Sequence, residues 1–173
     1  MNTATTAPTL DQVWAALDAL TDPEIPVVTL REMGILRDVR HAADGHTVEV
    51  VITPTYSGCP AMEQIEDDVR ASVTALGIPA RVITQLAPAW TTDWMSDVAR
   101  QKLHDYGIAP PAACGGTTQV IQFASHRAPP DVVPCPRCGS HDTTETSHFG
   151  STACKALYKC LHCMEPFDYF KPY

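Results

Sequence analysis

The sequence predicts an α+β protein in which a small three-stranded sheet is covered by helices, in the order α-β-β-α-β-α, and is followed by a second, β-rich segment. Three observations support this prediction. Apolar residues switch between helical and strand spacing along residues 1–108. Proline, alanine and glycine are frequent in residues 109–130, and two C-x-x-C pairs lie within residues 131–173. We therefore predict a helix–sheet domain, a linker and a cysteine-bearing domain with these limits.

Composition restricts the class of protein. The chain has 173 residues, 45% of them apolar, which is enough for one domain with a core and a small second domain. Its 20 acidic and 12 basic residues give a net charge of −8, which disfavours nucleic acid and anionic membranes as partners. No apolar run is long enough to span a bilayer, and residues 1–10 lack the features of a signal peptide. We expect a cytoplasmic protein whose seven cysteines bind metal or act as thiols.

The first helix is predicted to begin at Thr9, whose side chain can form a capping box with Gln12. The helix ends at residues 21–26 (DPEIP preceded by Thr), where two prolines prevent continuation. Asp22 and Glu24 in this acidic loop are candidate metal ligands or catalytic acids, and hydrogen bonding within the turn is the alternative interpretation. Apolar residues recur at helical spacing at five positions, namely Leu10, Val13, Trp14, Leu17 and Leu20.

The three strands are predicted from alternation and β-branched residues. An irregular segment at residues 27–34 precedes a hairpin formed by residues 35–41 and 46–53. The Asp44-Gly45 pair between them is a hairpin-turn signal. Residues 81–86 form the third strand.

Two further helices cover the sheet. The second ends at Gly77 and its buried stripe is predicted to be Met62, Ile65, Val69, Val73 and Leu76. The third is capped by Thr92 or Asp93 and ends at Gly107. Its inward-facing residues are predicted to be Met95, Val98, Leu103 and Tyr106.

Cys59 is the first candidate functional residue. It follows the second strand, and Pro60 suits the first position of the second helix, so Cys59 is expected at or beside the N-cap. Free backbone N–H groups and the positive end of the helix dipole favour a thiolate there, which predicts a lowered pKa and a reactive thiol. A small buried cysteine that caps the helix is the alternative interpretation.

The linker at residues 109–130 contains one β-prone stretch, residues 118–124. Cys114 lies in this segment without a second cysteine or histidine at ligand spacing. We expect it to be structural or incidental.

The last 43 residues carry the strongest signal in the chain. Cys135, Cys138, Cys160 and Cys163 form two C-x-x-C pairs separated by 21 residues. This spacing is typical of a tetrahedral four-cysteine zinc site, and a segment this short needs metal to fold. Together with the β-prone stretches at residues 143–149, 156–159 and 166–170, it predicts a zinc ribbon. A single iron or an iron–sulfur cluster is the alternative occupant, because ligand count does not separate these metals.

Three other residues near the knuckles have open roles. Cys154 is a fifth thiol beyond the four ligands, and it is either a buried strand residue or a second reactive thiol beside Lys155. His162 lies inside a knuckle and could replace a cysteine as ligand, although the regular pairing argues against this. His148 is expected on the surface of a strand.

Several of these motifs together resemble a known family. Residues 22–26 (DPEIP), the hairpin and residues 53–60 (TPTYSGCP) are similar to iron–sulfur cluster assembly domains of the MIP18 (DUF59) type. With residues 106–111 (YGIAPP), 149–156 (FGSTACKA) and 165–171 (EPFDYFK), the match narrows to the PaaD-type (PaaJ-type) family of aerobic phenylacetate degradation. The resemblance covers nearly the whole chain and both domains.

The resemblance implies an accessory component of the ring-1,2-phenylacetyl-CoA epoxidase, a multicomponent di-iron oxygenase with an iron–sulfur reductase. It implies a reactive cysteine at Cys59, with the loop of Asp22 and Glu24 nearby, and it implies the oxygenase and reductase subunits as partners. The residues agree with a protein that is not an enzyme, because the predicted helices carry no Glu-x-x-His pair for a di-iron site, and the chain has no Rossmann glycine pattern and no P-loop. A homodimer is left open.

Two other functions are weighed against a maturation factor. The chain could be a structural subunit that holds the epoxidase complex together. A zinc-ribbon nucleic-acid-binding regulator is disfavoured, because residues 131–173 contain four Lys or Arg against five Asp or Glu and lack a basic stripe.

Overall fold

The computed structural model describes residues 8–111 and 132–173. The chain forms two compact units, one made of residues 1–90 and 94–99, the other of residues 91–93 and 100–173. Cys114, the predicted strand at residues 118–124 and most of the predicted linker lie outside the described residues. No helix in the described part of the chain is long and apolar enough to cross a membrane.

The first helix, α1, spans Leu10–Leu17 and confirms the predicted capping box. Thr9 Oγ1 accepts a hydrogen bond from Gln12 N, and Gln12 Oε1 accepts one from Thr9 N. The helix ends earlier than the acidic loop at which it was predicted to stop. The reason is tertiary: Leu20 O accepts from Leu30 N, which turns the chain before the prolines are reached.

The first sheet has three strands in the order β1-β2-β3, with β1 at Leu36–His41, β2 at Val48–Ile52 and β3 at Ala80–Thr84. The predicted hairpin is confirmed, since β1 and β2 pair antiparallel. Asp44 closes its turn by accepting from His46 N, Thr47 N and Thr47 Oγ1 at 2.7–2.9 Å, and these donors lower the pKa of its carboxyl to about 2. β3 joins β2 in parallel, so β2 is the central strand.

The second helix, α2, spans Met62–Thr74 and lies in sequence between β2 and β3. Its predicted stripe is confirmed at Ile65, Val69 and Val73, which are at most 1% exposed, while Met62 and Leu76 are half-buried. Gly77 follows the helix in the left-handed region (φ +82°), as expected for a residue that ends it.

The third helix departs from the prediction. A 3₁₀ turn at Thr92–Trp94 precedes α3 at Asp97–Tyr106, and Ser96 Oγ accepts from Ala99 N at 3.1 Å. The predicted cap at Thr92 or Asp93 is therefore wrong. Because the helix begins later, its buried positions are Ala99 and Leu103, whereas Val98 and Tyr106 are each 55% exposed.

The second unit contains a four-stranded sheet in the order β4-β7-β6-β5. The strands are β4 at Ile108–Ala109, β5 at Thr143–Ser147, β6 at Lys155–Cys160 and β7 at Pro166–Phe170. β6 pairs antiparallel with both β5 and β7, which confirms the three β-prone stretches. β4 pairs in parallel with β7, so residues placed by the sequence at the end of the first domain and the beginning of the linker form a strand of this sheet. The predicted domain limits otherwise stay a prediction.

Candidate thiol and metal sites

Cys59 lies in the loop between the central strand β2 and α2. Its N–H donates to Tyr56 O at 3.2 Å, and its carbonyl accepts from Met62 N at 3.3 Å, so the chain makes a tight turn before the helix. The N-cap is Ala61, which has helical angles and no side-chain cap. The prediction that Cys59 is at or beside the N-cap is therefore off by two residues, because Pro60 belongs to this turn and not to the helix.

The electrostatic environment of Cys59 also differs from the prediction. Partial burial raises the pKa of its thiol above the ordinary value, and the carboxylates of Glu24 and Asp22 raise it further. The N–H of Ala61 and the hydroxyl of Tyr56 oppose this by hydrogen bonding to the sulfur. The expected lowered pKa is wrong: near neutral pH Cys59 is a protonated, half-buried thiol.

The acidic loop contains the two carboxyl groups that act on Cys59. Asp22 is 8% exposed, and its Oδ1 accepts from Glu24 N at 2.7 Å and from Ile25 N at 3.1 Å. Asp22 thus makes the turn hydrogen bonds that were the alternative interpretation of the sequence, while its charge still reaches the thiol. The structure brings Asp22, Glu24 and Cys59 into one electrostatic neighbourhood, although among the described residues they do not form a preassembled metal-ligand group.

The sequence analysis did not identify the buried hydroxyl of Thr53, a residue that directly follows β2. Its side chain is 1% exposed, and its Oγ1 has no hydrogen-bond partner within the described residues. A buried hydroxyl without a partner carries a desolvation cost of about 1–3 kcal/mol. A threonine at the end of a β-branched strand gives no sequence signal of this kind, because only the tertiary structure decides whether its hydroxyl meets a partner.

The four predicted ligands of the ribbon converge. The Sγ atoms of Cys135, Cys138, Cys160 and Cys163 all lie within 4.8 Å of one another. Cys135 Sγ is 3.8 Å from Cys163 Sγ, and Cys138 Sγ is 3.6 Å from Cys160 Sγ. Four sulfurs on a tetrahedron with bonds of about 2.3 Å to a central metal would stand about 3.8 Å apart. The donor set and its spacing therefore fit a single tetrahedral metal ion.

Both knuckles reach this geometry with a left-handed residue after the second cysteine. In the first knuckle it is Gly139 (φ +71°), the residue type that adopts this region most readily. In the second it is Met164 (φ +65°), a residue rarely found in this region. The second turn also points N–H groups at a sulfur: those of Cys163 and His162 lower the pKa of Cys160 to about 6. This favours at Cys160 the thiolate form that metals bind, whereas the neighbouring thiols raise the pKa of Cys138 to about 12 and also raise that of Cys163.

Cys154 and the two histidines stand apart from these four sulfurs. Cys154 is 4% exposed, and its Sγ lies 2.9 Å from Thr152 Oγ1. Lys155, which was considered as an activating cation for it, forms an ion pair with Asp168 at 3.4 Å and is itself buried. These contacts favour the interpretation of Cys154 as a buried residue before β6. His148 is exposed as predicted, and His162 is exposed and outside the ligand group.

Comparisons with known proteins agree with this two-part organisation. Residues 10–82 match the model of the iron–sulfur cluster assembly protein family. Residues 121–171 match the model of the PaaD zinc beta ribbon domain. Each match contains one of the two thiol sites.

Curated relatives extend the match to the whole chain. The chain is 48% identical over 165 residues to an Escherichia coli protein whose name describes it as a subunit of a "Putative 1,2-phenylacetyl-CoA epoxidase". The match covers 95% of this chain and 93% of that relative. A Porphyromonas gingivalis "Fe-S protein maturation auxiliary factor" is 34% identical over 97 residues, 55% of this chain and 90% of the relative.

A solved structure matches the first part of the chain. A crystal structure of a DUF59 domain of unknown function from Bacillus anthracis aligns with a TM-score of 0.49 and 27% identity, over 54% of this chain and 89% of that chain. Taken with the two family models, the identity to the Escherichia coli relative over almost the full length of both chains is decisive. The chain belongs to the PaaD-type family, in which an iron–sulfur cluster assembly domain precedes a zinc β-ribbon.

Proposed function

We propose that this protein is a non-enzymatic maturation factor for the iron centres of a phenylacetyl-CoA epoxidase, acting through Cys59. The observation that carries the proposal is a half-buried thiol at Cys59 within electrostatic reach of the carboxylates of Glu24 and Asp22, which with burial raise its pKa. The names of the two curated relatives support the two halves of the proposal, the epoxidase and the maturation of iron–sulfur proteins.

The electrostatics of Cys59 suit transient binding of an iron cargo. Two carboxylates raise the pKa of the thiol, so the free protein holds the proton and avoids a third negative charge. An arriving iron ion, or the positively charged core of a cluster, reverses this balance and favours release of the thiol proton and formation of an iron–sulfur bond. When the cargo leaves, the same carboxylates favour reprotonation. A thiol tuned in this way holds iron while it is needed and then releases it.

The ribbon has a different role in this proposal. Cys135, Cys138, Cys160 and Cys163 hold one structural metal ion, which we propose to be zinc, with a single iron or a cluster as the alternative. Closed four-sulfur sites with no open position stabilise a fold and do not exchange their metal during a reaction cycle. The ribbon would then present a fixed surface to an oxygenase or reductase subunit.

The test compares cells that carry the wild type or Cys59→Ser, with Ser57→Ala as a matched control in the same loop. We expect Cys59→Ser to lower both the iron content of the purified epoxidase and its activity, while the protein still co-purifies with its partners. Ser57→Ala should behave as the wild type. If Cys59→Ser leaves iron loading and activity unchanged, the role of Cys59 is refuted, and unaltered activity with retained binding would favour a structural subunit.

A further inference from the structure

The four candidate ligands of the ribbon differ in how deeply they are buried. Cys135 and Cys160 are 1% and 0% exposed, and both belong to the buried core cluster of the ribbon sheet. Cys163 is half-buried and packs against this cluster, and Cys138 is exposed. The group thus consists of an inner pair, Cys135 and Cys160, and an outer pair, Cys138 and Cys163.

The backbone of each knuckle produces this difference. The N–H of the inner cysteine closes the turn by donating to a carbonyl five residues further along the chain. Cys135 donates to Ser140 O at 2.9 Å, and Cys160 donates to Glu165 O at 3.0 Å. The outer cysteine follows three residues after the inner one and therefore lies within the closed turn. The inner cysteine anchors the turn, and the outer cysteine is carried on it.

Strand pairing adds to the anchoring of Cys160. It is the last residue of β6 and pairs with Thr143 on β5. Its Sγ also accepts a hydrogen bond from Cys163 N at 3.4 Å. Displacing an inner cysteine opens the core cluster, whereas displacing an outer cysteine requires only that its own turn opens. Local openings of exposed turns cost much less free energy than openings of a core.

The sulfurs alternate between the two knuckles. Cys163 Sγ lies 3.8 Å from Cys135 Sγ, and Cys138 Sγ lies 3.6 Å from Cys160 Sγ. Each outer sulfur is therefore adjacent to the inner sulfur of the other knuckle. Opening of one turn withdraws one ligand and leaves the other three together, with the inner pair still joining the knuckles.

From this arrangement we propose that the ribbon gives up its metal ion from the outside inwards: Cys138 detaches first, Cys163 follows, and the inner pair detaches last. Cys138 is then the modification site at which soft, thiol-reactive electrophiles attack the ribbon. A coordinated thiolate carries no proton, so access to the sulfur, and not the pKa of the free thiol, sets this order. The inference rests on the resident metal ion proposed above and is independent of Cys59. It concerns loss of the ion to an external reagent and not a step of maturation.

Isotope-coded alkylation of the full-length, metal-loaded protein tests the order. The protein is incubated with a chelator and N-ethylmaleimide, samples are quenched before metal loss is complete, and the remaining cysteines are blocked with deuterated reagent after unfolding. Trypsin cleaves after Arg137 and so separates Cys135 from Cys138, while fragment spectra separate Cys160 from Cys163. We expect Cys138 to be labelled first, about tenfold or more faster than the inner pair, with Cys163 between them.

Three results would contradict the proposal in different ways. Wild-type protein without stoichiometric metal refutes the resident ion, and this inference with it. Stoichiometric metal with all four cysteines labelled at one rate shows that the ion leaves only when the whole ribbon unfolds, and it refutes the inference alone. Labelling of Cys160 before Cys138, which is the order of the pKa values of the free thiols, also refutes it.

A matched pair of variants provides a second measurement. Cys138→Ser and Cys160→Ser remove two sulfurs that lie 3.6 Å apart, one exposed and one buried. Water can occupy the open position at the exposed corner, as in metal sites with three protein ligands, whereas the core closes the buried corner to solvent. Cys138→Ser should therefore hold metal about tenfold or more tightly than Cys160→Ser in dialysis against graded chelator. Equal retention in the two variants, or better retention in Cys160→Ser, contradicts the division into an inner and an outer pair.

Discussion

Two cysteines, Cys59 in the first unit and Cys160 in the second, lie in opposite electrostatic environments. In the first unit, burial and two carboxylates raise the pKa of Cys59. In the second, backbone N–H groups of Cys163 and His162 lower the pKa of Cys160 to about 6. Both cysteines lie in turns at the end of a strand, so the turn itself does not decide the ionisation state. The groups aimed at the sulfur decide it, and this difference is what the proposed transient iron at Cys59 and resident metal at Cys160 would require.

The units also differ in their net charge and in the interactions that stabilise them. Residues 1–90 and 94–99 contain thirteen acidic and five basic residues, whereas the other unit has seven of each, so the acidic excess of the chain lies in the first. The first unit has an apolar core that includes Val13, Leu17, Ile25, Leu30, Met33, Ile52 and Ile65, each at most 1% exposed. The core cluster of the ribbon sheet is smaller and includes two of the knuckle cysteines, Cys135 and Cys160. Apolar burial stabilises the first, and a metal ion would stabilise the second.

Removal of the metal should produce the largest difference in stability between the two units. A strong chelator should unfold the sheet from Thr143 to Phe170 while α1 to β3 stay folded, because only the second unit depends on metal-bound sulfur. Lowering the pH should weaken the site in the same direction, since thiolates must be deprotonated to bind. Amide NMR spectra with metal analysis measure both effects.

Variants of single cysteines provide the control for this experiment. Cys160→Ser should abolish stoichiometric metal, and Cys59→Ser should leave it at one equivalent per chain. Zinc with a colourless solution supports the proposed occupant, and stoichiometric iron with absorption near about 400 nm supports the alternative. Loss of α1 to β3 together with the ribbon would contradict independent stabilisation of the two units.

A glycine substitution should produce the converse effect, in which the first unit is destabilised and the second unit stays folded. Gly34 is left-handed (φ +72°), and a Cβ there would lie 2.6 Å from Trp94 O. We expect Gly34→Ala to destabilise the first unit by about 3 kcal/mol, because backbone strain and a backbone clash combine. Gly45→Ala, at φ +68° with nothing within 4 Å, should cost only about 1 kcal/mol. Denaturant unfolding followed by tryptophan fluorescence reports the difference, since all three tryptophans lie in the first 94 residues.

The metal content of the Gly34→Ala variant tests whether the two units are stabilised independently. It should equal that of the wild type, because the four ligands belong to the other unit. A loss of metal in step with the loss of stability would show that the two units unfold as one.

The smallest effect concerns the pKa of Cys59. Glu24→Gln removes a carboxylate that raises this pKa, so the thiolate fraction at a fixed pH should increase. We expect alkylation by iodoacetamide near pH 8 to accelerate about twofold, a small factor because the group is partly solvated. Glu63→Gln, an acidic residue in the first turn of α2, is the matched control.

The sign of the pH dependence follows from the same shift. The folded state holds the Cys59 proton more tightly than the unfolded chain, so the contribution to folding stability is present below the ordinary thiol pKa. It is lost as the pH rises through the raised folded value. An alkylation profile with its midpoint below that of a free thiol would contradict the raised pKa and restore a reactive thiolate.

Local signals account for what could be predicted in the fold. The capping box at Thr9, the Asp44-Gly45 hairpin, the stripe of α2 and the two knuckles each depend on residues close in sequence. The buried face of the α3 segment was predicted correctly at Met95 and Leu103 and incorrectly at Val98 and Tyr106, because Ser96 competes with Thr92 and Asp93 as the start of the helix.

For the candidate sites, the sequence by itself determined the residue types and their local turns. These were a cysteine beside Pro60, an acidic loop at residues 22–26 and two C-x-x-C pairs that converge on one point. The tertiary structure decided the direction in which the pKa values of Cys59 and Cys160 move, the burial of Cys154 and the lack of a hydrogen-bond partner for the Thr53 hydroxyl within the described residues. The physical reason is that hydrogen bonding along a turn depends on neighbours in the chain. Desolvation and Coulomb interactions depend on groups that only folding brings together.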